Sequence, residues 1–327
     1  MRSDRAIGRM ILCGVLAPAV AWSGPRSVDG RLDDWTGSST MLGGTAQISA
    51  GEYVYQDHVW DDYGANTGQR PPNYSALASS GAVGDYRYPT DEARWGNDAA
   101  DLFQVRFAAD ADTVWFLAWM NTLKETDTTV VAVAIDVDPG AATGGGEWPR
   151  GAGVATAGAD YVVTLGGGAG EIVELASGIA TPLGVAADAG ENGIEAAIPR
   201  ALVPGDRWRV WVAAGLWDTA AGEWQAVPPN ASTATEPGYG SSAVSSRIFN
   251  VAFRWQESGA YMEDAQAAAL AAGDLSPFHA DLDLALLAAG GESPYTLETG
   301  RFYAAIFESR FTIPPHHEGT SFQGVPG

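Results

Sequence analysis

Residues 97–120 read NDAADLFQVRFAADADTVWFLAWM, and this stretch decides the fold class. From 102 to 107 the chain alternates: Leu102, Gln104 and Arg106 fall on one face, and Phe103, Val105 and Phe107 on the other, which is the two-residue period of a strand. The AADAD segment at 108–112 is a turn, because aspartate side chains bond nearby backbone N–H groups. Thr113 to Met120 then runs almost continuously apolar over the length of a strand. Two such runs joined by a short acidic turn form an antiparallel pair.

The same grammar continues outward. Thr129 to Val137 is rich in valine, and 160–165, 171–175, 193–198, 208–216 and 247–253 are further short β-type runs. Between them lie turn sequences such as DPGAATGGG at 138–146 and GGGAG at 166–170, read as turns because no phosphate-loop context surrounds them. In 207–212 the residues Arg207, Arg209 and Trp211 face one way and Trp208, Val210 and Val212 the other. No helical repeat separates these runs, so the expected fold is mainly β, an antiparallel β-sandwich spanning 26–254. After Trp255 the composition changes. YMEDAQAAALAA at 261–272 predicts a helix ended by Gly273, and a second helix is expected from Ser276 or Pro277 to about Ala289. Residues 255–327 are therefore read as a short helical and irregular C-terminal appendage.

The N-terminus predicts secretion. Arg2, Arg5 and Arg9 precede an apolar run from Met10 to Ala21 that is too short to span a bilayer, and Ala19 and Ala21 suit a signal peptidase. Residues 1–21 are read as a signal peptide, which would remove Cys13, the single cysteine, and with it any disulfide or thiolate metal site. The net charge is −22, and it becomes about −24 when the leader takes away three arginines and one aspartate. Such a surface excludes nucleic acid and anionic lipid as partners and admits neutral polysaccharides and divalent cations. No later stretch of the sequence has the length and apolarity of a membrane span.

Acidic and aromatic residues concentrate between Tyr53 and Asp101, among glycines and prolines that disfavour a core. Asp57, Asp61 and Asp62 form one carboxylate group and Asp85, Asp98 and Asp101 a second, the oxygen-rich setting that calcium requires. Asp136 and Asp138, where an apolar strand breaks into a loop, are a third group whose placement fits a turn. Trp60, Tyr63, Tyr74, Trp95 and Trp148 lie in loops, where exposed rings offer flat faces to sugars. Trp115, Trp119, Trp208 and Trp211 lie within strand patterns and are assigned to the core.

The ordered series VDGRLDDW at 28–35, DHVWDDYG at 57–64, YRYPTDE at 86–92, NDAADLFQVRF at 97–107, DTVWFLAWM at 112–120, VAVAIDVDPG at 131–140, GADYVVTL at 158–165 and GIEAAIPRALV at 193–203 resembles the C-terminal domain of glucodextranase. It is similar also to the related DOMON-like and family 9 carbohydrate-binding-module-like sandwiches. Residues 66–84 depart from that pattern as an insertion, and the stretch after Trp255 lies outside it. The resemblance implies a non-catalytic β-sandwich of polysaccharide-active enzymes or of the cell surface, often bearing calcium.

Catalysis has little support. With 40 acids a glycosidase pair can always be proposed, so abundance carries no information, and there is no GxSxG elbow. The adjacent His316 and His317 make a poor chelate, and His279 reads as structural. The expectation is a secreted, calcium-stabilised module that binds a polysaccharide or cell-surface glycan. The alternatives are a structural envelope or surface-layer protein that binds no sugar, an accessory domain of a polysaccharide-degrading system, and a haem-bearing redox module, against which the scarcity of Met and His argues.

Overall fold

Strand periodicity turns into two stacked antiparallel sheets. The computed structural model describes residues 26–37, 41, 44–57, 99–141, 143–226, 247–253 and 268–292. The proposed leader at 1–21 lies outside them.

In the first sheet the strands are ordered β1 (Thr45–Ser49), β2 (Glu52–Gln56), β3 (Leu102–Ala109), β4 (Thr113–Met120), β12 (Gly193–Pro199) and β11 (Val185–Asp188). The second runs β10 (Ile179–Leu183), β9 (Ala169–Glu174), β8 (Tyr161–Gly166), β5 (Thr129–Asp136), β13 (Arg207–Asp218) and β14 (Glu223–Trp224). Both β15 (Ile248–Val251) and β16 (Ala280–Asp283) pair with β13 as well. A separate ribbon joins β6 (Gly145–Glu147) to β7 (Ala155–Ala157).

Alternation sends one side of each strand into the layer between the sheets. Val131, Val133 and Ile135 of β5 and Val210 and Val212 of β13 meet Phe107 and Phe116 from the first sheet in one core. Each such side chain contributes roughly 1.5–3 kcal/mol through removal from water. At the start of β3 the alternation read from sequence fails. A register shift between Leu102 and Gln104 puts Leu102 into the inner core, while Phe103 meets Trp119 edge-on at 4.5 Å. A bulge of this kind changes the face of every residue before it.

Both outer faces are covered. Over the first sheet lies residues 26–37, a strap without regular structure whose Trp35 packs on Ala108, Trp115 and Leu117. Two buried carboxylates hold it. Glu195 of β12 accepts the N–H groups of Asp29 at 3.0 Å and Gly30 at 2.7 Å, and the indole N–H of Trp35 at 2.5 Å. Glu52 of β2 accepts the N–H groups of Thr36 and Gly37 and pairs with Arg26 at 2.5 Å and Arg106 at 2.9 Å. Arg26 also lies 4.5 Å over the Trp35 ring, a cation–π contact. Gly30 is required because its φ is 78° and a Cβ there would fall 2.5 Å from the Asp188 nitrogen. The VDGRLDDW segment is this strap.

The second sheet is covered by Trp148, Ala152 and Val154 together with Leu270, Leu275 and Phe278. Residues 268–272 are helical and Gly273 follows with a φ of 68°, as the sequence predicts for that helix end. The second expected helix is corrected. Residues 280–283 form strand β16, and only Leu284–Ala288 form a helix, α1, capped by Asp283 accepting the Leu286 N–H. The cause is a period of two: Ala280 and Leu282 enter the core while Asp281 and Asp283 stand opposite Arg209 and Arg207 on β13. An unpaired edge on β13 offers these residues hydrogen bonds that outweigh local helix preference. Leu284 and Leu287 of α1 are fully buried in the same core.

Glu52 has no exposed side-chain surface and stands against two arginines, so Glu52→Ala strands buried positive charge. The expected loss is on the order of 3–5 kcal/mol by urea unfolding. A change below about 1 kcal/mol would show that the strap is not clamped there.

Candidate functional site

β5 ends at Asp136 and the chain leaves the sheet through Asp138, while β8 begins just after Asp160. The antiparallel pairing of Ile135 with Tyr161 brings these acids together. One carboxylate oxygen from each of Asp136, Asp138 and Asp160 lies within 4.8 Å of the others. This is the one such cluster among the described residues.

Local hydrogen bonds fix it. The Asp138 N–H donates to Asp136 Oδ1 at 2.9 Å, and the Val137 N–H donates to Asp160 Oδ2 at 3.0 Å. The Thr143 hydroxyl lies 3.1 Å from each oxygen of Asp138. Two glycines let the backbone close on the cluster. A Cβ on Gly144 would come 2.8 Å from Asp160 Oδ1 and 2.7 Å from the Gly158 carbonyl oxygen, and one on Gly158 would come 3.2 Å from Asp136 Oδ2. Their φ angles, 75° and 90°, also favour glycine. Glycine at 144 and 158 thus lets the Gly158 and Ala159 carbonyls and the Asp160 and Asp136 carboxylates lie close to the chain, and such oxygens are the donor chemistry of a hard divalent cation.

Burial sets the electrostatics. Asp136 is only 3 % exposed, and loss of water pushes its carboxyl above the usual range, a rise that Asp160 and Asp138 add to and the Asp138 N–H and Arg209 partly offset. Asp138 is exposed and Asp160 half-buried, so the cluster opens to solvent on one side. A divalent cation would supply the positive charge this arrangement calls for.

The site residues expected from sequence stand elsewhere or lie outside the described residues. Trp60, Tyr63, Tyr74, Trp95, Asp61, Asp62, Asp85 and Asp98 belong to the latter group, as do His58, His316 and His317. Asp57 and Asp101 are described and both are buried. The Asp57 N–H donates to the Phe103 carbonyl, and Asp101 accepts the Asn121 side-chain N–H at 2.9 Å. Neither belongs to the cluster of three carboxylates. Trp148 is corrected from a loop ring open to ligand to a core residue, 2 % exposed, whose indole N–H donates to Thr156 Oγ1 at 3.2 Å. The Gly- and Pro-flanked loop folds down onto the outer face of the second sheet and takes the ring with it. His279 is structural, with Nδ1 3.1 Å from the Ser276 carbonyl and its ring edge-on to Trp211.

Asp136 and Asp138 do serve the turn that their sequence position suggests, and they also form two thirds of the cluster. Asp160 is the residue that sequence reasoning passed over. It precedes a strand and follows Gly158, and only the β5–β8 register sets it beside Asp136. No described helix is long and apolar enough to cross a membrane, which leaves strand-built spans untouched. Neither a protein-family model nor a curated protein matches the chain.

The raised carboxyl of Asp136 gives a signed pH dependence. Its folded state favours the protonated form, so this group's stabilisation is present below the ordinary carboxylate range and fades as pH rises through its elevated value. In metal-free protein, Asp136→Asn should gain stability relative to wild type as pH goes from about 4 to about 8. Parallel Tm-against-pH curves for the two proteins would refute this.

Proposed function

We propose that this chain is a secreted, non-catalytic binding module that holds calcium at Asp136, Asp138 and Asp160 and presents its loops to a polysaccharide or cell-surface glycan. The observation that carries the cation part is the oxygen cluster at the end of β5, flanked by Gly144 and Gly158. Calcium suits it because the ion takes carboxylate oxygens and completes its six to eight ligands with backbone carbonyls and water. The chain's own residues would orient the ion: Val137 and Asp138 N–H groups fix two carboxylates, and Thr143 steadies the third.

The glycan part rests on the resemblance to glucodextranase-type and family 9 binding-module-like sandwiches and on loop aromatics. In this reading Trp60, Tyr63, Tyr74 and Trp95 stack on sugar faces, with neighbouring acids and amides directing the hydroxyls, and no bond is made or broken. The leader at the N-terminus and the net charge of −22 support an extracellular setting with neutral polymers as partners.

Burial of Trp148 favours a second reading, a structural envelope protein in which the cation only stiffens loops. Two measurements separate the readings. Calcium at roughly 100 times its Kd should stabilise the protein by about 2.7 kcal/mol, and EDTA should reverse the rise in Tm; an unchanged Tm removes the cation. Pull-down on a panel of soluble and insoluble glucans should retain the protein and lose it on Trp60→Ala or Trp95→Ala. Retention by none of them, with the calcium response intact, leaves the structural reading.

A further inference from the structure

Three charged residues stand in one row across three neighbouring strands. Arg209 of β13 is directly opposite Asp136 of β5 on one side and Asp281 of β16 on the other. Alternation places all three on the outer face, since Val210, Ile135 and Ala280 beside them point into the inner core. Arg209 thus sits between a buried carboxylate and one that is 61 % exposed.

It pairs with the exposed one. Arg209 Nε donates to Asp281 Oδ1 at 2.7 Å and Nη2 to Oδ2 at 3.2 Å, a two-point fork. Asp136 receives only the Asp138 N–H, on Oδ1, so its Oδ2 takes no hydrogen bond among the described residues although the residue is 97 % buried. A carboxylate oxygen that no N–H or O–H group caps, beside an arginine already committed elsewhere, is an oxygen left available to a cation. The field of Arg209 still reaches Asp136, and both Asp281 and Asp136 act to hold the guanidinium charged.

We propose that Asp281 is a restraint that keeps Arg209 off Asp136, so that this surface ion pair sets the calcium affinity of the Asp136, Asp138 and Asp160 cluster. The proposal rests on reading that cluster as a cation site. With Asp281 present the arginine fork is engaged on the solvent side, and the Asp136 oxygen stays open. Without it the guanidinium turns to its other cross-strand neighbour and competes with the cation for the same carboxylate. Arg209 is therefore a tuning residue and Asp281 a positioning residue; neither is a ligand.

A double-mutant cycle on the full chain tests this, with calcium chloride as titrant in isothermal calorimetry and Asp136→Asn as control. Asp281→Asn should weaken calcium binding on the order of tenfold, and Arg209→Gln should tighten it several-fold. In the Arg209→Gln background, Asp281→Asn should change affinity by less than about twofold, because an exposed charge acting alone is screened. An equal loss in both backgrounds would reduce Asp281 to a distant charge and overturn the proposal, as would no loss in either. If wild type binds calcium and Asp136→Asn does not, the site stands whatever Asp281 does. If neither protein gives a calcium heat, the site and the restraint fall together. Melting curves verify that each variant is folded, which the exposure of Asp281 favours.

Discussion

Twelve consecutive residues of β13 carry backbone hydrogen bonds to four other strands, and the placement of the second sheet follows from them. β5 occupies one edge along 209–216, while β16 and β15 share the other, the first along 207–210 and the second along 213–215. β14 pairs with its last two residues. Buried N–H and C=O groups left unpaired cost about 1–3 kcal/mol each, so a strand this deep in a core requires partners along both edges. That requirement draws residues 280–283 out of helical conformation and sets Asp136, Arg209 and Asp281 in one row. The carboxylate cluster is thus a consequence of a ladder, built where β5 ends and β8 begins.

The two outer faces are closed by different chemistry. Over the second sheet the cover is apolar, with Trp148 and Phe278 in one cluster with Trp211 and Trp217 of β13. Trp217 lies so close to the turn after β8 that a Cβ on Gly166 or Gly167 would fall 2.6 or 2.4 Å from its ring, so those glycines serve as a seat for the indole as well as a turn. Over the first sheet the cover is a strap fastened by Glu52 and Glu195. Buried ion pairs add little net stability when desolvation is counted, but each fixes where its donors must lie. The strap is therefore fastened at two points, Glu195 near its start and Glu52 at its two ends.

Period-two reading located most of the long strands, because one face of each is uniformly apolar and turns rich in Asp and Gly mark their ends. β13 was visible from its arginines and tryptophans alone. It failed where a long-range contact overrides a local pattern. The bulge at Leu102 is invisible to alternation, and β16 resembles the end of a helix until its partner edge is known. The glycine- and proline-flanked Trp148 has the composition of an exposed ring, yet its loop folds back over the sheet. In the same way Asp136 and Asp138 read as turn acids, and Asp160 gains meaning only through the β5–β8 register. Sequence records what each residue prefers, and the site depends on which distant residues become neighbours.

The strap and β16 lie far apart along the chain and both complete the sandwich. Asp29 bonds a residue 166 positions later, and Arg209 bonds one 72 positions later. Closing loops of this length costs entropy before any contact offsets it, which places the chain among slow folders of high contact order. A nascent chain lacks Glu195 when its strap emerges and lacks β16 when β13 emerges, so neither cover can seat during synthesis of the first half.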